Sequence, residues 1–413
     1  MASNGITSKS KAKRVSRASQ NTWPLVRFGD VVRDVKVTID RNTTELTRFV
    51  AGEHMDSDDI HLRRWGELDG DYLGPAFHRG FRKGQVLYGS RRTYLKKVAV
   101  APFDGICANT TFVLESVDSD ILLPELLPFI MLTDSFTQHS IRESKGSVNP
   151  YINWKDIAKY EFPLPPKDEQ RRIAEIILAA DETVIAWQAA ACELHKSRQA
   201  LLSESYPHGI DGKNGELPPR WRTCLLGDII DLKSGGTPSR QKPEFWNGAI
   251  PWVKTGEVEY TDIFTTEESI TQAGVDNSSA KVVPAGTILM ALFGQGPTLG
   301  RVGRLMIDAT VNQACAALLP CDEVDQDYLY FYLVREYDNI RHLARGASQP
   351  NLNLSIVRHL HLPLCDLQLQ QDIGKTLRHI EQVRDQLSKH IFETRRLSSQ
   401  LVNNILAGGI DVH

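Results

Sequence analysis

At 413 residues, with 41 % hydrophobic and 24 % charged side chains, the chain has a globular composition and is too long for one core, since single hydrophobic cores stop growing at about 250–300 residues. No apolar run reaches the roughly 18 residues that a bilayer span requires, and residues 1–22 contain no secretory h-region, so a cytoplasmic protein without membrane contact is expected. The formal net charge of -3 does not exclude DNA, because a near-neutral total can hide a basic face.

Residues 1–22 carry Lys9, Lys11, Lys13, Arg14 and Arg17 and no acid. They are expected to form a disordered basic tail, either solvated or in weak electrostatic contact with DNA. Residues 23–165 alternate short β-branched and aromatic runs with Gly and Pro punctuation, as at 85–88, 95–101 and 110–114, and add a helical pattern at 122–138. After Pro163-Leu164-Pro165-Pro166 the period changes. Over 166–208 apolar residues recur at Ile173, Ile177, Ala180, Val184, Trp187, Ala191, Leu194 and Leu201, in steps of three and four with one polar break, which is the seam of a coiled coil. Residues 217–365 return to the mixed pattern, with a strand over 287–293 and a helix over 328–344. Residues 366–408 then repeat the long helix, with Ile373, Leu377, Ile380, Leu387, Ile391 and Leu401 in corresponding places. Asp168 and Asp366 are the expected N-caps, and His208-Gly209 and Gly408-Gly409 the expected stops.

The second half repeats the first. At a shift of 200 residues without gaps, 146–211 matches 346–411 at twelve of 66 positions, where average composition gives about four. The matches include Gly146/Gly346, Pro150/Pro350, Asn153/Asn353, Gln170/Gln370 and Ile173/Ile373. Upstream, Trp23 with Gly29-Asp30 answers Trp221 with Gly227-Asp228, and Asn109 answers Asn312. So long a period means two copies of one module rather than a solenoid. The expected fold is α+β: two homologous mixed α/β domains separated by a pair of long antiparallel coiled-coil helices, an internal pseudo-twofold repeat.

Each helix of about 37 residues would extend roughly 55 Å, more than a domain of this size needs for its own core. Packing of each helix on its own domain is the competing arrangement. Two modules on a rigid rod would read two short DNA words about one helical turn apart. Because the modules differ in sequence, the target should be bipartite and asymmetric, with an unread spacer of roughly five to eight base pairs.

The chain shows no chemistry of its own. Asn149-Pro150-Tyr151 lacks the second proline of an amino-methyltransferase motif and reads as a turn. No Gly-x4-Gly-Lys-Ser/Thr phosphate loop is present. The string 294–300 has Gly-x-Gly-x-x-x-Gly spacing with Pro297 in the turn and reads as a hairpin loop. Six scattered cysteines, with no pair at zinc-knuckle spacing, read as reduced core thiols. No metal and no catalytic residue is expected.

The duplicated Trp with Gly-Asp, the series Gly146, Asn153, Pro163-Leu164-Pro165-Pro166 and Glu169-Gln170-Arg171-Arg172-Ile173-Ala174, and Ser234-Gly235-Gly236-Thr237-Pro238-Ser239 with Ile250-Pro251-Trp252 together resemble the DNA-specificity subunit of Type I restriction-modification systems, over about 23–411. The second copy departs at Cys365-Asp366 and Leu369-Gln370-Gln371-Asp372. The resemblance implies two target-recognition domains, helices that dock two methyltransferase subunits, and restriction/translocase subunits completing the enzyme. It implies no cofactor on this chain: S-adenosylmethionine would sit on the methyltransferase, ATP and Mg on the restriction subunit. The alternative is a stand-alone or differently partnered bipartite DNA-binding module; an enzyme in its own right ranks last.

DNA contact needs phosphate donors and flat or amide side chains on loops that reach a groove. The leading candidate is the segment 88–97, with Ser90, Arg91, Arg92, Tyr94 and Lys96. The matching loop of the second half offers Gln295, Thr298 and Arg301. Further candidates are Arg63 and Arg64 beside Trp65, the group Lys233, Ser234, Thr237, Ser239 and Arg240, and Lys254 with Thr255. Lys145 and Ser147, with Arg345, Ser348 and Gln349 in the equivalent place, suggest backbone gripping, leaving base reading to the loops that differ. A solvated surface competes at every one of these positions. On the helices, Ile173, Ile177, Val184, Trp187, Leu194 and Leu201 are expected to pair with Ile373, Leu377, Ile380, Leu387, Ile391 and Leu401. Ile176 and Leu178, off the seam, would meet another subunit or pack on their own domain.

Overall fold

The β-branched and aromatic runs become short strands, and the two stretches of three-four periodicity become the two longest helices. These features come from a computed structural model, which describes residues 23–40, 43–69, 73–207, 209–212, 217–294, 296–344 and 351–406. The expected tail 1–22 and the expected stops at His208 and at Gly408-Gly409 lie outside the described residues. The chain divides into two units, one containing the described residues up to Trp187 together with those from His390, the other Gln188–Lys389. Each long helix, Lys167–Ser205 and Leu367–Leu406, therefore contributes a segment to both units.

In the first unit Val32–Asp34, Thr111–Ser116, Val86–Gly89 and Val98–Val100 form an antiparallel four-stranded sheet in that order. A five-stranded sheet runs Val37–Thr38, Phe77–Phe81, Gly105–Ala108, Arg48–Val50, Gly66–Glu67, with one parallel pair at its centre right. Leu25–Arg27 pairs with Glu161–Pro163, the strand that leads into the long helix. The helical pattern expected over 122–138 is broken. Thr133 adopts an extended conformation, separates Leu127–Leu132 from Asp134–Arg142, and caps the second by accepting the Phe136 N–H.

The second unit contains a five-stranded sheet, Leu232–Ser234, Cys315–Leu318, Ile288–Ala291, Val302–Leu305, Asp262–Ile263, and a four-stranded one, Glu268–Ile270, Trp246–Val253, Ala309–Val311, Val282–Val283. Arg222–Leu225 pairs with His361–Leu364 as its counterpart does in the first unit. The repeated Gly-Asp now has a reason. A Cβ on Gly29 would lie 2.7 Å from Ala158 Cβ, and one on Gly227 2.8 Å from Arg358 Cβ. At the preceding residue the Phe28 N–H donates to the Tyr160 carbonyl and the Leu226 N–H to the Leu360 carbonyl.

The repeated glutamine joins helix to domain. Gln170 and Gln370 are each 1 % exposed. Gln170 Oε1 accepts the Leu123 N–H at 2.8 Å while its Nε2 donates to the Ile121 and Pro165 carbonyls at 2.8 and 2.9 Å. Gln370 accepts the Asp325 N–H at 3.0 Å and donates to the Glu323 and Cys365 carbonyls at 3.2 and 3.0 Å. Three backbone groups that helix and loop leave over are satisfied by one amide in each half.

Only one of the two expected aspartate caps forms. Asp366 Oδ1 accepts the Leu369 N–H at 3.0 Å. Asp168 lies within the first turn and pairs with Arg171 at 2.6 Å, because the Pro166 carbonyl accepts the Gln170 N–H and so takes the cap position. There its charge still faces the positive end of the helix.

Within each unit the two long helices meet. Ile173 and Ile177 share the first unit's core with Val402 and Ile405, and Leu178 and Leu401 pack against it. Val184 is buried, and the Trp187 ring lies 5.3 Å from that of His390. In the second unit Leu202 and Tyr206 share a core with Ile373 and Leu377, Leu201 packs on it, and Arg198 pairs with Glu381. As one helix advances its partner recedes in both units, so the pairing is antiparallel. Leu194, Ile380, Leu387 and Ile391 are half-buried. Leu178 is thus covered by its own domain, whereas Ile176 stays 38 % exposed. No helix among the described residues is long and apolar enough to cross a membrane.

Candidate nucleic-acid interface

The strand Val86–Gly89 ends in a turn that reverses into Val98–Val100. Ser90 is buried, and its hydroxyl donates to the Thr110 carbonyl at 2.6 Å, which pins the turn. Arg92 and Lys96 both have left-handed backbones, φ 48° and 47°, on either side of the short turn Thr93–Leu95. Such conformations cost of order 1 kcal/mol or more in non-glycine residues and concentrate at functional loops. They lift Tyr94 to 52 % exposure at the apex. Lys96 is turned inward, its ammonium 2.9 Å from Asp134, and it braces the turn.

The structure brings a second segment against this turn. The Ile152 N–H donates to the Ser90 carbonyl at 2.9 Å and the Arg92 N–H to the Pro150 carbonyl at 2.7 Å, so loop 145–151 and the arginine turn form one body. Asn149, Arg91, Arg92, Lys97 and Glu53 line a cavity of about 360 Å³ between them. The second half repeats the joint, with the Leu352 N–H donating to the Leu292 carbonyl at 3.0 Å. Sequence reasoning treated 149–151 as a turn. The sequence identities Gly146/Gly346 and Pro150/Pro350 were the signal that marked this segment.

The other cationic candidates are engaged within the fold. Arg63 pairs with Asp59 at 2.8 Å and Arg64 with Asp56. Lys233 lies 3.5 Å from Asp231. Arg301 pairs with Glu259 at 3.2 Å. Lys254 bonds Glu267 and Glu268, and the hydrogen bond it donates to Glu267 is the main reason its ammonium titrates higher than usual. Arg240 stacks 3.7 Å above the Trp246 ring and pairs with Glu268, and its hydrogen bond holds that carboxyl below the usual carboxylate range. By contrast, Arg91 and Arg92 are exposed, and neither guanidinium has a partner among the described residues.

The Gly-Gly-Thr-Pro-Ser motif is architectural. A Cβ on Gly235 would lie 2.1 Å from the Asn312 carbonyl oxygen, and one on Gly236 2.3 Å from the Ala280 nitrogen. The buried Trp252 donates to the Gly236 carbonyl at 2.9 Å, Trp246 to that of Ser239 at 3.1 Å, Thr237 bonds Gln313, and Ser234 donates to the Gly235 carbonyl at 3.4 Å. Thr255 is hydrogen-bonded to the Asn312 amide. The backbone of this segment is close-packed, while Ser234 and Ser239 remain exposed. The Thr298 carbonyl accepts the Arg301 N–H within its own hairpin.

Lys145 bridges to Asp156 at 3.3 Å, while Ser147 is exposed. Burial raises the Asp156 carboxyl, but hydrogen bonds from Lys145, Lys159 and Asn153 outweigh it and hold the group below its ordinary value. Gln295, Arg345, Ser348 and Gln349 lie outside the described residues. The thiols of Cys107 and Cys315 are buried and pushed up to about 12 by that burial, which makes them unreactive at neutral pH.

The sequence matches the family described as Type I restriction modification DNA specificity domain over residues 64–189 and 218–394. Among curated proteins it is 22 % identical over 420 residues to the Type I restriction enzyme MjaVIII specificity subunit of Methanocaldococcus jannaschii, covering 94 % of this chain and 93 % of that protein. Its fold is similar to the crystal structure of a Type-I restriction-modification system S subunit from M. genitalium, with TM-score 0.61, 16 % identity, and coverage of 97 % of this chain and 99 % of that one. A chain from a structure concerned with complex assembly and conformational transition of the type I R-M system gives TM-score 0.58 at 21 % identity, covering 94 % and 99 %.

Proposed function

The chain belongs to the DNA-specificity family of Type I restriction-modification systems, and on that premise we propose that it is the sequence-reading subunit of such an enzyme, with one globular domain for each half of a bipartite, asymmetric DNA target. It carries no catalytic step itself. Two methyltransferase subunits, which bind S-adenosylmethionine, dock on its long helices, and restriction/translocase subunits, which bind ATP and Mg, complete the assembly in the cytoplasm.

The observation that supports this reading most is the unpartnered Arg91–Arg92 pair, held by a strained turn while the other described candidate arginines are neutralised within the fold. A guanidinium free of carboxylates can fork to guanine O6 and N7 or to a phosphate, and a paired one must first give up its acid. Exposed apolar side chains along the helices, Ile176, Ile185 and Phe392, support docking of a further subunit there.

Mapping methylated adenines across the genome of a host that carries this chain tests the reading: two short fixed words separated by an unread spacer are expected. Arg91→Ala with Arg92→Ala should relax one word and leave the other intact. Equal alteration of both words would refute the modular assignment.

A further inference from the structure

Loop 145–151 shares its glycine and proline with the equivalent sequence of the second half and differs from it between them. Gly146 sits at φ +89°, a conformation that glycine adopts without steric cost, and the Pro150 carbonyl receives the Arg92 N–H. Both recur as Gly346 and Pro350, whereas Ser147-Val148-Asn149 stands where the second half has Ala347-Ser348-Gln349. Within one chain, then, duplication has kept the glycine and proline and changed the residues between them.

The loop is stiff. Lys145 and Tyr151 exchange backbone hydrogen bonds in both directions, at 2.8 and 2.9 Å, which closes the loop, and the Ile152 bond to Ser90 fixes it to the arginine turn. On this frame Val148 is 94 % exposed. A single exposed apolar side chain is ordinary on a protein surface. Here, however, it is β-branched, with little rotamer freedom left to lose, and stands on a closed loop joined to two unpartnered guanidiniums. Contact with an apolar group on an otherwise polar, anionic ligand is what such a presentation serves. In the major groove the apolar group carried by base edges is the thymine methyl.

We propose that Val148 is a specificity-determining residue that contacts a thymine methyl in the first half of the target. The backbone frame and the Arg91–Arg92 pair set the approach, and the loop tip sets the base. This rests on the DNA-reading role of the same face. It also revises the gripping role expected for Lys145 and Ser147, placing base contact at the tip of the loop beside the two arginines.

The test uses the full chain assembled with its methyltransferase subunits and duplexes in which each thymine of the first word is replaced in turn by deoxyuridine, which lacks only the methyl. One position should weaken binding three- to five-fold, the worth of one buried methyl group. Val148→Ser, fully exposed and harmless to folding, should bind the two duplexes alike. Equal sensitivity in both proteins, or no sensitive thymine, overturns the proposal. The Arg91→Ala, Arg92→Ala variant separates the two layers: if it loses the first word while Val148 shows no coupling, only the proposal fails; if it binds normally, the reading of the face fails with it.

Discussion

The joints of the two halves match and their loops do not. Gln170 and Gln370 make the same three hydrogen bonds at the start of each long helix. Around them the chemistry diverges. In the first unit the domain meets the helices through His61 and Asp181 at 2.6 Å and through Asp59 and Arg395 at 3.0 Å. In the second, Asp262 and Asp327 hold Arg304 and Arg378 in a four-charge cluster, which raises the Arg378 guanidinium even though burial opposes it. The difference teaches that the invariant part of the duplication satisfies the backbone, where geometry admits one solution. Surface charge pairs admit many solutions and have drifted.

The sharpest way to break that comparison is at the glutamines. Gln170→Ala and Gln370→Ala each strand three backbone groups. Each should lower unfolding stability by about 3 kcal/mol, since a buried unsatisfied group costs about 1–3 kcal/mol. Chemical denaturation showing a loss at one position and none at the other would end the claim of equivalence.

Next in size is recognition. Arg91→Ala and Arg92→Ala should each cost about 1–3 kcal/mol in discrimination at one word, read by competition binding, with stability moved by less than about 0.5 kcal/mol, as for other exposed residues without partners. Asp327→Ala should then destabilise by about 2 kcal/mol. That is less than for a fully buried pair because its side chain is 23 % exposed and Asp262 still faces both arginines. Asp181→Ala in the first unit should cost about 1 kcal/mol or less.

The smallest effect belongs to Arg240→Ala, below about 1 kcal/mol and without change in the target read. It also has a pH signature. Glu268 titrates below its ordinary value in the folded protein because Arg240 bonds it, so its contribution is present above the ordinary carboxylate pKa and fades as pH falls through the lowered one. In the variant the Glu268 titration, followed by NMR, should move back up and that part of the acid dependence should shrink.

The long helices were legible because their pattern is local and long, and the small domains were legible as mixed α/β because Gly and Pro mark their short strands. Thr133 was not: a helical stretch over 122–138 looks continuous until a side-chain cap breaks it. Asp168 was misplaced by two residues because Pro166 offered its carbonyl first. Among candidate contacts, composition put Arg240 and Arg91 on the same footing, and the fold separated them.

By itself, then, the sequence determined the duplication, the two helices and the family, all carried by recurring residue patterns along the chain. Only the tertiary structure decided which basic side chains stay available. The acids that neutralise Arg240 and Arg301 stand 28 and 42 residues away in the sequence. Whether a charge is free depends on what the folded chain places within about 4 Å of it, and for Arg240 and Arg301 those groups come from distant parts of the sequence.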